Sequence, residues 1–74
     1  MTIDKFIKET GTFNSYTKSP MIIWNGYKVY KVWNEHNGKP VPTGPPFYAL
    51  EDKNGNFRYT NAEESFEILP HTRL

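Results

Sequence analysis

The sequence predicts a mainly β chain of about five antiparallel strands, with a short N-terminal helix and one 3-10 or helical turn before the last strand. Two observations carry this. Asn-Gly pairs stand at Asn25-Gly26, Asn37-Gly38 and Asn54-Gly55, and both residue types tolerate the positive φ that a tight hairpin turn requires. The runs around the first and third pairs, Met21 to Trp33 and Pro46 to Thr60, are rich in the β-branched and aromatic residues that suit strands.

Taken in order, Ile3, Phe6 and Ile7 fall at helical spacing between Thr2, an N-cap type, and Gly11, a C-terminal stop, with Asp4 early and Lys8 late as the helix dipole favours. A helix over about 3–10 follows. It is too short to stand alone, so it plugs the β domain or docks on a partner. Residues 12–20 read as loop, with Phe13 and Tyr16 as anchors. From Met21 to Trp33 a two-residue turn at Asn25-Gly26 sets Trp24 opposite Tyr27, Ile23 opposite Lys28, Ile22 opposite Val29 and Met21 opposite Tyr30. Both faces of this hairpin are apolar, so one covers the core and the other needs a second layer or a partner. Residues 34–46 hold Pro40, Pro42, Pro45 and Pro46. They read as a stiff loop, with a ragged hairpin arm at Asn37-Gly38.

The second hairpin admits two registers. A two-residue turn at Asn54-Gly55 pairs Glu51 with Arg58 and Leu50 with Tyr59, placing Tyr48, Leu50, Phe57 and Tyr59 on one face. A three-residue loop, with a type I turn at Lys53-Asn54 and Gly55 left-handed, slides the pairing by one and sets Glu51 opposite Phe57. The first is preferred because it segregates apolar from charged side chains and makes Glu51 and Arg58 a cross-strand ion pair. Thr60 and Asn61, with Glu63 and Glu64 three residues on, form overlapping capping boxes that start one turn over about 61–65. Phe66 to Leu69 reads as the last strand, stopped by Pro70. The domain plan is therefore 1–20 helix and loop, 21–69 β domain and 70–74 tail.

Composition narrows the function. The chain has 74 residues, 9 basic and 8 acidic, for a net charge of +1, so no field singles out nucleic acid or an anionic membrane. Five Phe, five Tyr and two Trp outnumber Ile, Leu and Val together. There is no cysteine, hence no disulfide and no thiolate chemistry. No apolar run is long enough to span a membrane, and the acids in the first nine residues do not suit a signal peptide; the expected location is cytoplasmic.

Tyr48-Ala49-Leu50-Glu51-Asp52, the Asn54-Gly55 turn, Tyr59 and Ser65-Phe66-Glu67-Ile68-Leu69 resemble the C-terminal half of small SH3-like β-barrels found in short bacterial and bacteriophage proteins. The resemblance covers about residues 21–69 and implies a closed barrel. It does not extend to the N-terminal helix, and many functions sit on that shape.

Catalysis finds no constellation. His36 and His71 lie in a loop and the tail, and no serine occupies a strand-to-helix elbow. Each glycine stands alone, so no phosphate cradle forms. Asp52, Asn54, Asn56 and Glu63 have calcium-loop offsets, but Phe57 replaces the bending glycine and a hairpin turn explains them. No cofactor or metal is expected. The expected function is a non-catalytic protein-binding module, and in a phage setting one that binds and modulates a host protein. Tyr30, Trp33, Lys39, Pro42 and Pro45 are the candidate contacts, the last three having the spacing of a polyproline ligand motif. Nucleic-acid binding is the alternative, through Lys28, Lys31, Arg58 and Tyr59 on one sheet face, opposed by the carboxylates of Glu51, Asp52, Glu63, Glu64 and Glu67. A third reading makes Trp24, Tyr27 and Tyr48 an aromatic cage for a cation. The chain is expected to be a monomer or a homodimer.

Overall fold

The computed structural model describes residues 2–41 and 46–72. In chain order they form helix α1 (Ile3–Thr10), strands β1 (Ser15–Tyr16), β2 (Ile22–Trp24), β3 (Tyr27–Trp33), β4 (Glu35–His36), β5 (Lys39–Pro40), β6 (Phe47–Glu51) and β7 (Phe57–Tyr59), and helix α2 (Ala62–Thr72). The main antiparallel sheet runs β1-β3-β6-β7, with β2 also paired to β3, while β4 and β5 form a separate two-stranded arm.

Helix α1 has the predicted limits and caps. The Thr2 hydroxyl accepts from the Lys5 N–H at 3.3 Å, and Gly11, at φ 65°, donates its N–H to Ile7 O at 3.1 Å. The β2–β3 hairpin has the predicted pairing of Trp24 with Tyr27, Ile23 with Lys28 and Ile22 with Val29. Positive φ at Asn25 and Gly26 makes its two-residue turn. Asn37 and Gly38 do the same between β4 and β5, so the ragged arm is a true, if short, hairpin.

The β6–β7 hairpin takes the other register. Glu51 pairs with Phe57, Leu50 with Arg58 and Ala49 with Tyr59, and the cause is Asp52. Its Oδ1 accepts from the N–H groups of Asn54 at 2.8 Å and Asn56 at 3.0 Å, while its carbonyl accepts from Gly55 N–H at 3.1 Å. Those bonds stabilise a type I turn with Gly55 alone in the left-handed region, at φ 80°. A two-residue loop would leave the carboxylate idle. The shift overturns the expected Glu51–Arg58 pair and sends Leu50 and Tyr59 to opposite faces.

The last expected strand is also corrected. Residues 66–69 belong to α2, which runs to Thr72. Asn61 and Glu64 form the anticipated capping box, Glu64 N–H to Asn61 Oδ1 at 2.8 Å and Asn61 N–H to Glu64 Oε1 at 3.1 Å, but it opens a full helix. Ser65, Ile68, Leu69 and Thr72 face inward at helical spacing, whereas Phe66 is 59% exposed. Pro70 sits in the last turn, where the carbonyl it leaves without a donor belongs to exposed Phe66.

The consequence is an open sheet between two helices. Among the described residues no strand pairing closes it into a barrel. On one face Tyr30, Val32 and Ala49 pack with Phe6, Ile7 and Phe13, flanked by Phe57 and Tyr59; the Phe6 ring lies 5.3 Å from Phe57 and 4.7 Å from Tyr59. On the other, Val29, Tyr48 and Leu50 pack with Ile68, flanked by Ile22, Trp24 and Tyr27. Buried polar groups are matched. Thr60 Oγ1 accepts from Tyr48 N–H at 3.1 Å and meets Ser65 Oγ at 2.7 Å.

The helical assignment separates two neighbours that a strand would treat differently. Ile68→Ala should cost about 2–4 kcal/mol by urea unfolding, and Phe66→Ala less than about 0.5 kcal/mol. Equal costs would contradict the packing of α2.

Candidate functional site

Helix α2 covers the part of its face that carries Val29, Tyr48 and Leu50. Strand β3 continues past it, and alternation puts Lys31 and Trp33 on that same face. There Thr17, Lys31, Trp33, Glu35 and Pro40 line a cleft of about 320 Å³. The β4–β5 arm forms one wall, and two asparagines hold its base. Asn14 Oδ1 accepts from Glu35 N–H at 2.8 Å while Asn14 Nδ2 donates to Glu35 O at 2.9 Å. Asn34 Oδ1 accepts from Asn14 N–H at 3.1 Å, and Asn34 O accepts from Val41 N–H at 2.8 Å.

The indole of half-buried Trp33 is fixed by its Nε1–H, which donates to Glu35 Oε1 at 2.9 Å. The opposite wall comes from Thr17, whose N–H donates to Lys31 O at 3.0 Å and whose Oγ1 accepts from Lys31 N–H at 3.1 Å. Lys31 itself is exposed. The arrangement offers an apolar floor of indole and proline ring, one ammonium and one carboxylate. Thr17 Oγ1 accepts from a backbone N–H and keeps its O–H as a donor. Among the described residues no group of His, Asp and Glu side chains is placed to hold a metal ion.

A wider groove of about 490 Å³ runs beside α1, lined by Asp4, Ile7, Lys8, Gly11, Phe13, Asn14 and Tyr16. Its larger rings belong to the packing under α1, so it lacks a free aromatic anchor.

The residues singled out from the sequence do not form one surface. Tyr30 is buried under α1, its Oη donating to Glu51 Oε1 at 2.9 Å; it lies on the face opposite Trp33 and is not a contact surface. Lys39 is exposed on β5, cross-strand from His36. Pro42 and Pro45 lie outside the described residues. The alternative nucleic-acid set is split too. Lys31 and Arg58 share the α2 face, while Lys28, opposite Glu51, and Tyr59, packed on Phe6, share the α1 face. Arg58 forms a bidentate pair with Glu64, both N–H···O distances 2.8 Å, and sits 5.2 Å from the Tyr27 ring centre. That contact supplies Tyr27 with a cation from its own chain, and Tyr48 of the cage reading is buried beside Ile68.

Glu35, Thr17 and Pro40 were missed by the sequence reading. The one available signal was the two-residue spacing of Trp33 and Glu35, which puts an acceptor beside the indole if the strand runs on.

Compared with known proteins, the chain matches no family model, no curated protein and no solved structure. No helix among the described residues is long and apolar enough to cross a membrane.

Besides Asp52, whose carboxyl is held low first by the Asn56 N–H, two groups give the fold a signature in pH. Arg58 holds the Glu64 carboxyl below the usual carboxylate range, so its contribution is present above the unfolded value of about 4.3 and fades as pH falls through the lower folded one. Burial first, then Glu51, pushes the Tyr30 phenol up to about 12. Its contribution is complete below the unfolded value of about 10 and is lost as pH rises toward 12. In urea titrations across pH, Glu64→Gln should flatten the acid limb and Tyr30→Phe the alkaline limb. An unchanged limb in either variant would contradict the corresponding contact.

Proposed function

We propose that the chain is a non-catalytic protein-binding module that receives a short segment of its partner in the Trp33 cleft. The observation that carries this is the uncovered end of the α2 face, where a fixed indole and a proline ring meet an exposed ammonium. Fixed aromatic rings with polar groups at their edge are what interfaces concentrate, because such a ring gives large contact area at little entropic cost. The cleft is of side-chain size, at the small end of the ~300–1,000 Å³ typical of ligand sites. One anchoring residue with a few flanking positions would fill it.

The arm contributes Pro40 to the cleft, whereas Lys39 shares the opposite face of β5 with His36. Tyr30 has no part in the cleft. The split of Lys28, Lys31, Arg58 and Tyr59 between two faces, with Arg58 tied to Glu64, supports a protein partner over nucleic acid.

The test is selection from a random peptide display library on wild-type protein. Selected peptides should shift Trp33 emission in a Trp24→Phe background. They should also bind Trp33→Leu at least ~10-fold more weakly, about 1.4 kcal/mol, while circular dichroism stays that of the wild type. Equal binding to wild type and Trp33→Leu would contradict the proposal. So would retention of a nuclease-sensitive nucleic acid at about 50 mM salt with no peptide enriched.

A further inference from the structure

Among the described residues the one exposed aromatic side chain, Phe66, lies on the outer face of α2. Glu63, Phe66, Glu67 and Pro70 are all exposed and recur at helical spacing. A single exposed ring is ordinary on a protein surface. Phe66 differs in its setting: it is 59% exposed, on a capped helix, with a carboxylate three residues before it and another directly after it. Among the described residues the only ion pair is Arg58–Glu64, so Glu63 and Glu67 are unpaired there, as are Lys31 and Lys39.

The two orphan features are complementary. One is a side-chain-sized cleft with an aromatic floor and Lys31 on its wall. The other is an aromatic side chain framed by carboxylates. Within one molecule they cannot meet, because Phe66 lies on the side of α2 turned away from the sheet that carries the cleft. We infer that a second copy of this chain is an occupant of the Trp33 cleft: Phe66 of one copy enters beside Trp33 of another, with Glu63 and Glu67 facing Lys31.

Such docking presupposes that the cleft receives protein, as proposed above. The contact is heterologous, since helix meets cleft and not its own equivalent, so each copy keeps one free end and assembly continues to chains or a ring. Glu35 keeps its charge while one of its oxygens accepts from the Trp33 indole, so the incoming carboxylates sit on the Lys31 side of the cleft, away from Glu35. The contact is small, so association belongs to the weak, transient class, and its charged rim makes it sensitive to salt.

Sedimentation equilibrium of the full chain tests this, with circular dichroism and urea midpoints confirming that each variant is folded. Wild-type weight-average mass should rise beyond that of a dimer between ~10 µM and ~1 mM at low salt, and fall back in ~0.5 M NaCl. Phe66→Ser alone and Lys31→Glu alone should each stay monomeric over that range, Trp33→Leu giving a second cleft variant. Mixing Phe66→Ser with Lys31→Glu restores one intact cleft facing one intact helix, so the mixture should form a dimer and nothing larger. A monomeric wild type at ~1 mM would overturn self-docking while leaving the peptide selection to judge the cleft. Association unaffected by Phe66→Ser and Lys31→Glu, or a mixture that stays monomeric, would overturn it as well.

Discussion

Strands β3 and β6 are apolar on both faces, and the rest of the molecule answers that constraint. Val29, Tyr48 and Leu50 point one way, Tyr30, Val32 and Ala49 the other, and all six are buried. A closed barrel of this size would cover only its inside and leave one of these sets in water. An open sheet with a helix on each side covers both, the solution two-sided apolar strands usually find. Neither α1, with 8 residues, nor α2, with 11, would be stable alone. Each is held by the stripe it contributes, Ile3, Phe6 and Ile7 on one side and Ser65, Ile68 and Leu69 on the other.

The same constraint places the cleft. Helix α2 is anchored over Val29 and Leu50, while β3 continues to Trp33. The arm that follows turns at Asn37-Gly38 and is clamped by Asn14 and Asn34, so the exposed end of the face becomes a walled depression. The indole is held by Glu35 and Lys31 is exposed to water.

What was legible in the sequence was local chemistry. Thr2 and Gly11 bound α1, and Asn25-Gly26 fixed the first hairpin, because caps and two-residue turns are decided by adjacent residues. The second hairpin was misread because segregation of Leu50 and Tyr59 onto one face outweighed Asp52, whose carboxylate in fact selects the turn. With both faces buried, segregation has no force: Leu50 finds Ile68, and Tyr59 finds Phe6. Helix α2 was hidden because Ser65 and Thr72, on its buried side, are polar and masked the helical period, while Phe66, its most conspicuous ring, faces water. Their burial is stabilised by hydrogen bonds to Thr60 and Tyr48, tertiary contacts that no local pattern announces. The candidate site fared similarly. Trp33 stood out as an aromatic at a strand end, but Tyr30, identical in local pattern, sits under α1, and Glu35 mattered only once the arm was placed.

The most direct test of a two-faced sheet between helices is a set of nuclear Overhauser contacts among core side chains. The fold requires Ile68 methyl contacts to Leu50 and Val29, Phe6 ring contacts to Tyr59 and Phe57, and none between Leu50 and Tyr59. A strong Leu50–Tyr59 side-chain contact, or Phe66 and Ile68 both in contact with the same strand, would contradict it.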